Sequence, residues 1–131
     1  MSSLLVDIHT EEDLFLAISR VRYLVGDWFI EADQQCLFVT VLELGRNALM
    51  YAGGRAIFTC KIAEGGVNMQ MIDKGPGVHE LENILNGNYR SQTGLGLGLK
   101  GVRRMMDTFE IETSEKGTTI RVSKKPSQSR A

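Results

Sequence analysis

Two pairs of short apolar segments, each joined by a glycine-containing turn, constrain the fold of this chain more than any other feature. Residues 56–73 hold one pair, and Gly65 with Gly66 supplies a turn that needs positive φ. Residues 109–123 hold the other pair, which turns at Gly117. Both segments of each pair have the length and composition of strands. Each pair therefore predicts an antiparallel hairpin.

Three other stretches repeat apolar residues at helical spacing. The first follows Thr10, the second is capped by Asp33 and runs to about Met50, and the third begins near Leu99. An edge strand at 4–9 precedes them. Hairpins separated by helices predict an α+β fold, a two-layer sandwich in which helices cover one face of a mostly antiparallel, mixed sheet.

The size and charge of the chain exclude several classes of protein. Its 131 residues fit a single domain, which we predict over residues 1–123 with a disordered tail over 124–131. A formal net charge of −1 and scattered basic residues argue against nucleic acid as a partner. No apolar run is long enough to cross a membrane. The start carries no signal pattern and the two cysteines lack metal-like spacing, which favours a cytoplasmic protein.

The second predicted helix carries two polar side chains that can serve one site. Glu43 and Asn47 are four residues apart, so both project from the same face. The Asn47 oxygen suits Mg²⁺, and the Glu43 carboxylate can accept a proton from a hydroxyl that attacks phosphorus. Two polar residues at this spacing are also common on ordinary helix surfaces.

A second candidate site lies where the first hairpin ends. Asp73 is followed by Gly75 and Gly77, so a carboxylate stands beside backbone that a flat ligand can approach closely. That carboxylate can accept from an exocyclic amine such as the N6 group of adenine. The alternative is an ordinary turn, because Asp, Gly and Pro are common turn formers.

Alternating glycines before the third helix form the last candidate element. Gly94, Gly96 and Gly98 leave backbone N–H groups free beside a helix N-terminus, where they can wrap a polyphosphate. The segment is not the lysine-containing phosphate loop, and it lacks the preceding parallel strand of a dinucleotide fold. Each of these three elements occurs in many proteins, so none of them alone identifies a nucleotide site.

Together and in this order, the elements resemble the conserved boxes of the GHKL ATPase superfamily, whose fold is the Bergerat or histidine-kinase-like ATPase fold. The matching runs are Glu43-Leu-Gly-Arg-Asn47, Asp73-Lys-Gly-Pro-Gly77-Val78, Gly94-Leu-Gly-Leu-Gly98 and Gly117-Thr118. The likeness spans residues 4–123 and is closest to stressosome switch serine/threonine kinases and anti-sigma-factor kinases. Lys100 departs from the pattern, since proline is expected there.

The resemblance implies ATP and Mg²⁺ as cofactors and assigns a role to each matching residue. Glu43 is the catalytic base, Asn47 holds Mg²⁺, and Arg90 corresponds to a lid arginine that contacts the γ-phosphate. Lys100 either contacts phosphate or lies on solvated helix surface. The expected nucleotide-binding residues are Asn47, Asp73, Gly75, Gly77, Val78, Thr93, Gly94, Leu95, Gly96, Leu97, Gly98, Lys100 and Thr118.

The implied activity is phosphorylation of a STAS-domain antagonist protein, which regulates a stress or sigma-factor pathway by partner switching. A PP2C-type phosphatase or a sigma factor is a candidate second partner, and a homodimer is a further expectation. The alternative function is a nucleotide-binding module that sequesters a partner or activates a phosphatase, with little or no kinase activity. A histidine-kinase fragment would need a phosphoacceptor helix, whereas His9, the histidine near the start, falls on a predicted strand.

Overall fold

A computed structural model describes residues 3–51, 54–75 and 95–127. The described residues form five strands and three helices, in the order β1 (Ser3–Ile8), α1 (Glu11–Val25), α2 (Glu31–Tyr51), β2 (Ala56–Ala63), β3 (Gly66–Asp73), α3 (Leu95–Met105), β4 (Thr108–Ser114) and β5 (Gly117–Lys124).

The five strands form one sheet in the order β1-β2-β3-β5-β4, and all four pairings are antiparallel. Side chains alternate between the two faces of the sheet, so one face is apolar and buried while the other is polar and more exposed. The buried face includes Val6, Ile8, Phe58, Cys60, Met69, Met71, Ile120 and Val122. Helices α1 and α2 pack against this sheet, which confirms the predicted α+β sandwich.

The first helix begins where the sequence predicts. The Thr10 side chain accepts from the Asp13 backbone N–H at 3.3 Å, and the Asp13 carboxylate accepts from the Thr10 N–H at 3.1 Å, which forms a capping box. The apolar stripe of α1 is buried against the sheet and α2. Past the end of the helix, Trp28 is 42% exposed, whereas Phe29 is buried in the core.

The first hairpin turns one residue earlier than predicted. Positive φ values occur at Glu64 and Gly65, at 55° and 75°, whereas Gly66 is the first residue of β3. A Cβ atom on Gly66 would lie 2.8 Å from the backbone oxygen of Lys124 on the neighbouring strand β5. Gly66 is therefore required by close strand packing and not by turn geometry.

Asp33 does not cap α2, since the helix already begins at Glu31. Its carboxylate is buried and accepts from the backbone N–H of Ser127 at 2.7 Å and from the Ser127 hydroxyl at 2.9 Å. Lys124 lies 3.8 Å from the same carboxylate and donates to the Met105 carbonyl at the end of α3. Residues 124–127 therefore pack against the domain, unlike the disordered tail predicted for 124–131. Residues 128–131 lie outside the described part of the chain.

We expect Ser127→Ala to lower the free energy of unfolding by about 1 kcal/mol at neutral pH, because the Asp33 carboxylate loses one hydrogen bond. Burial raises the pKa of Asp33, but the Ser127 and Lys124 donors outweigh it and hold that pKa below its usual value. A lowered folded-state pKa gives stability that is present above about pH 4 and is lost on acidification through the folded pKa. Urea titrations should therefore show the difference between wild type and variant shrinking in acid. An equal difference at every pH would contradict the Asp33 contact.

Two further features of the fold bear on function. No helix among the described residues is long and apolar enough to cross a membrane. Cys60 is fully buried, and desolvation raises the pKa of its thiol to about 12, so it is a thiol at neutral pH. Cys36 is partly buried and free.

Candidate nucleotide site

The residues from Glu43 to Asn47 lie on different faces of helix α2. Glu43 is partly buried and Asn47 is only 6% exposed, and both project from the same face of the helix. Arg46 points elsewhere and donates to the Glu11 carboxylate at 2.8 Å, which ties α2 to the start of α1. The run therefore combines two candidate site residues with residues that hold the helix in place.

The glycine in this run is also structural. A Cβ atom on Gly45 would overlap the Leu14 side chain, whose Cγ and Cδ1 atoms would both lie 3.0 Å away. Leu14 is fully buried in α1. Gly45 therefore allows α1 and α2 to approach closely, which fixes α2 over the sheet and with it the positions of Glu43 and Asn47.

Helix α3 lies against the Glu43 side chain. A Cβ atom on Gly98 would lie 2.9 Å from Glu43 Cδ and closer still to Oε2, so the carboxylate occupies the space beside the bare Cα of this glycine. The sequence places Gly98 before the third helix, but α3 begins at Leu95 and includes it. The structure thus brings a predicted base and a predicted phosphate-loop residue into direct contact.

Asp73 stands in a polar row that crosses the sheet. It pairs with Thr118 of β5, and Thr118 pairs with Thr113 of β4, so the three side chains share the helix-facing side. The Thr118 and Thr113 hydroxyl oxygens are 2.8 Å apart. Ala56, the partner of Asp73 on β2, adds only a methyl group to the row. A polar strip thus replaces the apolar core at this end of the sheet.

The Asp73 carboxylate is partly buried and hydrogen-bonded. Its Oδ1 accepts from the Gly75 backbone N–H at 2.9 Å, so the residue also shapes the chain that follows β3. Burial raises the pKa of Asp73 above its usual value, although the N–H groups of Gly75 and Thr118 lower it in part. A desolvated acceptor of this kind gains from a ligand donor, because its charge lost contact with water on folding.

Gly117 lets β5 start directly beside the end of β3. Its φ is 149°, and a Cβ atom there would lie 3.0 Å from Lys74 Cα and 3.2 Å from the Asp73 carbonyl carbon. Backbone atoms cannot move aside as a side chain can. Gly117 therefore sets the spacing between Asp73 and Thr118.

A shallow depression of about 360 Å³ opens at this end of the sheet. It is lined by Asp73, Glu112, Thr113, Ser114, Lys116, Gly117, Thr118 and Thr119. Thr113 is not among the site residues that the motifs predict. Its position opposite Thr118 in the predicted second hairpin is the signal that could have identified it.

A larger groove of about 940 Å³ lies at the β1 edge of the sheet, between β1 and α1. Its walls are mostly apolar, and Arg20 is the charged residue that lines it. Among the described residues that line this groove, none has a carboxylate or an amide side chain that could hold Mg²⁺ or accept from adenine. The depression beside Asp73 is the better candidate for a nucleotide.

Several predicted site residues fall where the structure gives little or no description. Gly77, Val78, Arg90, Thr93 and Gly94 lie outside the described residues. The backbone of Leu95, Gly96 and Leu97 belongs to the first turn of α3, and Lys100 is partly buried on the same helix.

Asn47 is the described residue that could hold a magnesium ion at this site. Within residues 3–51, 54–75 and 95–127, no group of three or more His, Cys, Asp and Glu side chains is placed to hold a metal ion. Mg²⁺ commonly takes one or two protein oxygens and completes its shell with phosphates and water. Asn47, a buried neutral oxygen on the face of α2 that carries Glu43, fits that pattern.

Comparison with known proteins agrees with the geometry. Residues 32–128 match the family described as histidine kinase-, DNA gyrase B- and HSP90-like ATPases. The serine/threonine-protein kinase RsbT of Bacillus subtilis (strain 168) is 32% identical over 124 residues, which cover 91% of this chain and 93% of that protein.

Solved structures share the fold at low sequence identity. The catalytic domain of histidine kinase ThkA superposes with a TM-score of 0.61 and 17% identity, covering 93% of this chain and 95% of that one. The SiaB-SiaC complex from Pseudomonas aeruginosa gives a TM-score of 0.66 and 12% identity, covering 92% and 88%. The chain belongs to the family of histidine kinase-, DNA gyrase B- and HSP90-like ATPases, and within it is a protein serine/threonine kinase similar to RsbT.

Proposed function

We propose that this kinase uses Mg·ATP to phosphorylate a serine or threonine of a STAS-domain antagonist protein, and so regulates a stress or sigma-factor pathway by partner switching. The observation that carries the proposal is the placement of Glu43. Its carboxylate shares one face of α2 with Asn47 and touches α3, next to the glycine run that resembles a phosphate-binding loop. A module that only binds a partner has no need of a base at this position.

The row formed by Asp73, Thr118 and Thr113 supports adenine recognition. The Asp73 carboxylate can accept from the exocyclic amine, and the threonine hydroxyls can donate to or accept from the ring edge. Burial, which raises the pKa of Asp73, also leaves its charge poorly solvated in the absence of a ligand. Gly75, whose N–H donates to the Asp73 carboxylate, has no side chain that would block a flat ring from the backbone there.

Phosphoryl transfer needs positioning and charge neutralisation more than covalent chemistry from the protein. Asn47 would hold Mg²⁺, which neutralises charge on the phosphates when bound. Glu43 takes the proton from the partner's Ser or Thr hydroxyl as that oxygen bonds to the γ-phosphorus and the bond to the β-phosphate oxygen breaks. The cytoplasmic location predicted from the sequence pattern stays a prediction, as do the second partner and the homodimer.

The test is a transfer assay with γ-labelled ATP and two acceptors, a STAS-domain protein and casein. We expect the label to appear on serine or threonine of the STAS-domain protein alone, and to disappear when EDTA removes Mg²⁺. Equal labelling of casein would contradict the partner class. Labelling that persists in EDTA would contradict the role of magnesium.

A further inference from the structure

We propose that Gly98 is a positioning residue for the base, because its bare Cα lets α3 pack directly on the Glu43 carboxylate and fixes where that carboxylate stands. The inference rests on the proposed role of Glu43 as the proton acceptor. It gives Gly98 a function beyond a free backbone N–H for phosphate, which is what the glycine run predicts by itself.

The contact is confined to one part of the Glu43 side chain. An added Cβ on Gly98 would meet the Oε2 atom first, then Cδ at 2.9 Å and Cγ at 3.6 Å, all three from Glu43. These are the three nearest atoms, and none belongs to the backbone. A methyl group at position 98 can thus be accommodated if the flexible end of Glu43 swings away.

This geometry makes alanine at position 98 a selective perturbation. Alanine is a better helix former than glycine, so the backbone of α3 gains from the change. The cost falls on the carboxylate, which must leave its position. A displacement of about 1 Å at a reacting group can lower a rate by on the order of 100-fold.

Gly101 provides a matched control on the same helix. Outside its own helix backbone and its two chain neighbours, no described residue has a heavy atom within 4 Å of a Cβ placed there, so Gly101→Ala makes the same chemical change in open space. The two glycines are three residues apart in α3. An effect that both variants share is caused by the change in helix propensity. An effect of Gly98→Ala alone is caused by the contact with Glu43.

The kinetic arm measures transfer to the STAS-domain protein. Gly98→Ala should lower kcat by roughly 100-fold and leave the KM for ATP nearly unchanged, while Gly101→Ala matches wild type in both. In a Glu43→Asp background, where the shorter side chain leaves room for the methyl group, Gly98→Ala should have little further effect. A loss confined to KM, or an equal loss in both backgrounds, would overturn the proposal.

The second arm needs neither partner nor nucleotide, so it separates this inference from the proposed substrate. Gly101→Ala should raise Tm by roughly 3 °C. Gly98→Ala should raise Tm by less in wild type, and by as much as Gly101→Ala when Glu43 is replaced by Ala. If Gly98→Ala has the same effect on Tm with and without Glu43, the two residues are not coupled and the proposal fails.

Discussion

Asp73→Asn should weaken ATP binding about ten- to hundredfold while leaving the protein folded. The amide keeps the shape of the side chain but presents a donor where adenine also presents one, and an unmatched polar pair costs on the order of 1–3 kcal/mol. Calorimetric titration of ATP into each variant measures the loss directly. Asp7→Asn is the control, because it changes an exposed carboxylate on β1, at the edge of the sheet.

Stability distinguishes a binding role for Asp73 from a turn-forming role. Burial raises the pKa of this carboxyl, so the folded protein takes up a proton more readily than the unfolded chain does. Its ionised form is therefore a net cost to folding above the folded-state pKa. Asp73→Asn removes that cost and should leave Tm unchanged or slightly higher at neutral pH. A large drop in Tm with ATP affinity intact would assign Asp73 to the turn instead.

The same pKa shift predicts how ATP binding depends on pH. A carboxyl whose pKa is raised becomes protonated earlier as the solution is acidified, and the protonated form is a poorer acceptor for an amine. The ATP affinity of wild type should therefore fall on acidification before that of Asp73→Asn does.

Glu43→Gln should slow phosphoryl transfer by about 10²–10⁴-fold, the usual cost of losing a general base. Glutamine keeps the size of the side chain and its packing on Gly98 but cannot take up the hydroxyl proton. Binding of Mg·ATP and association with the STAS-domain protein should be unchanged, as measured by calorimetry and a pull-down. Glu12→Gln, an exposed change on α1, is the control. Transfer at the wild-type rate by Glu43→Gln would remove Glu43 from the chemistry.

Most of the architecture could be predicted from local patterns. The stripe of Leu37, Val41, Leu44 and Ala48 is buried as helical spacing predicts, and both hairpins occur where alternation and glycine turns place them. These predictions succeed because helix and strand periodicities are local properties of the chain.

The structure differs from the sequence-based predictions where a residue's role depends on a contact with a distant part of the chain. Asp33 has the residue type of a helix cap, but Ser127 and Lys124 bind its carboxylate from the far end of the sequence. Gly66 resembles a turn residue, yet the Lys124 backbone requires it. Gly98 and Glu43 are in contact, although position 98 is 55 residues after position 43 in the sequence. No local pattern contains these pairings.

A single-turnover experiment with the kinase in excess over the STAS-domain protein tests the central claim most directly. Intact-mass spectrometry of the partner after incubation with Mg·ATP should show one added phosphoryl group, which peptide analysis places on serine or threonine. The same samples should show the two proteins associating. A tight complex in which the partner stays unmodified, with Glu43→Gln indistinguishable from wild type, would contradict catalysis and identify the chain as a nucleotide-dependent binding module.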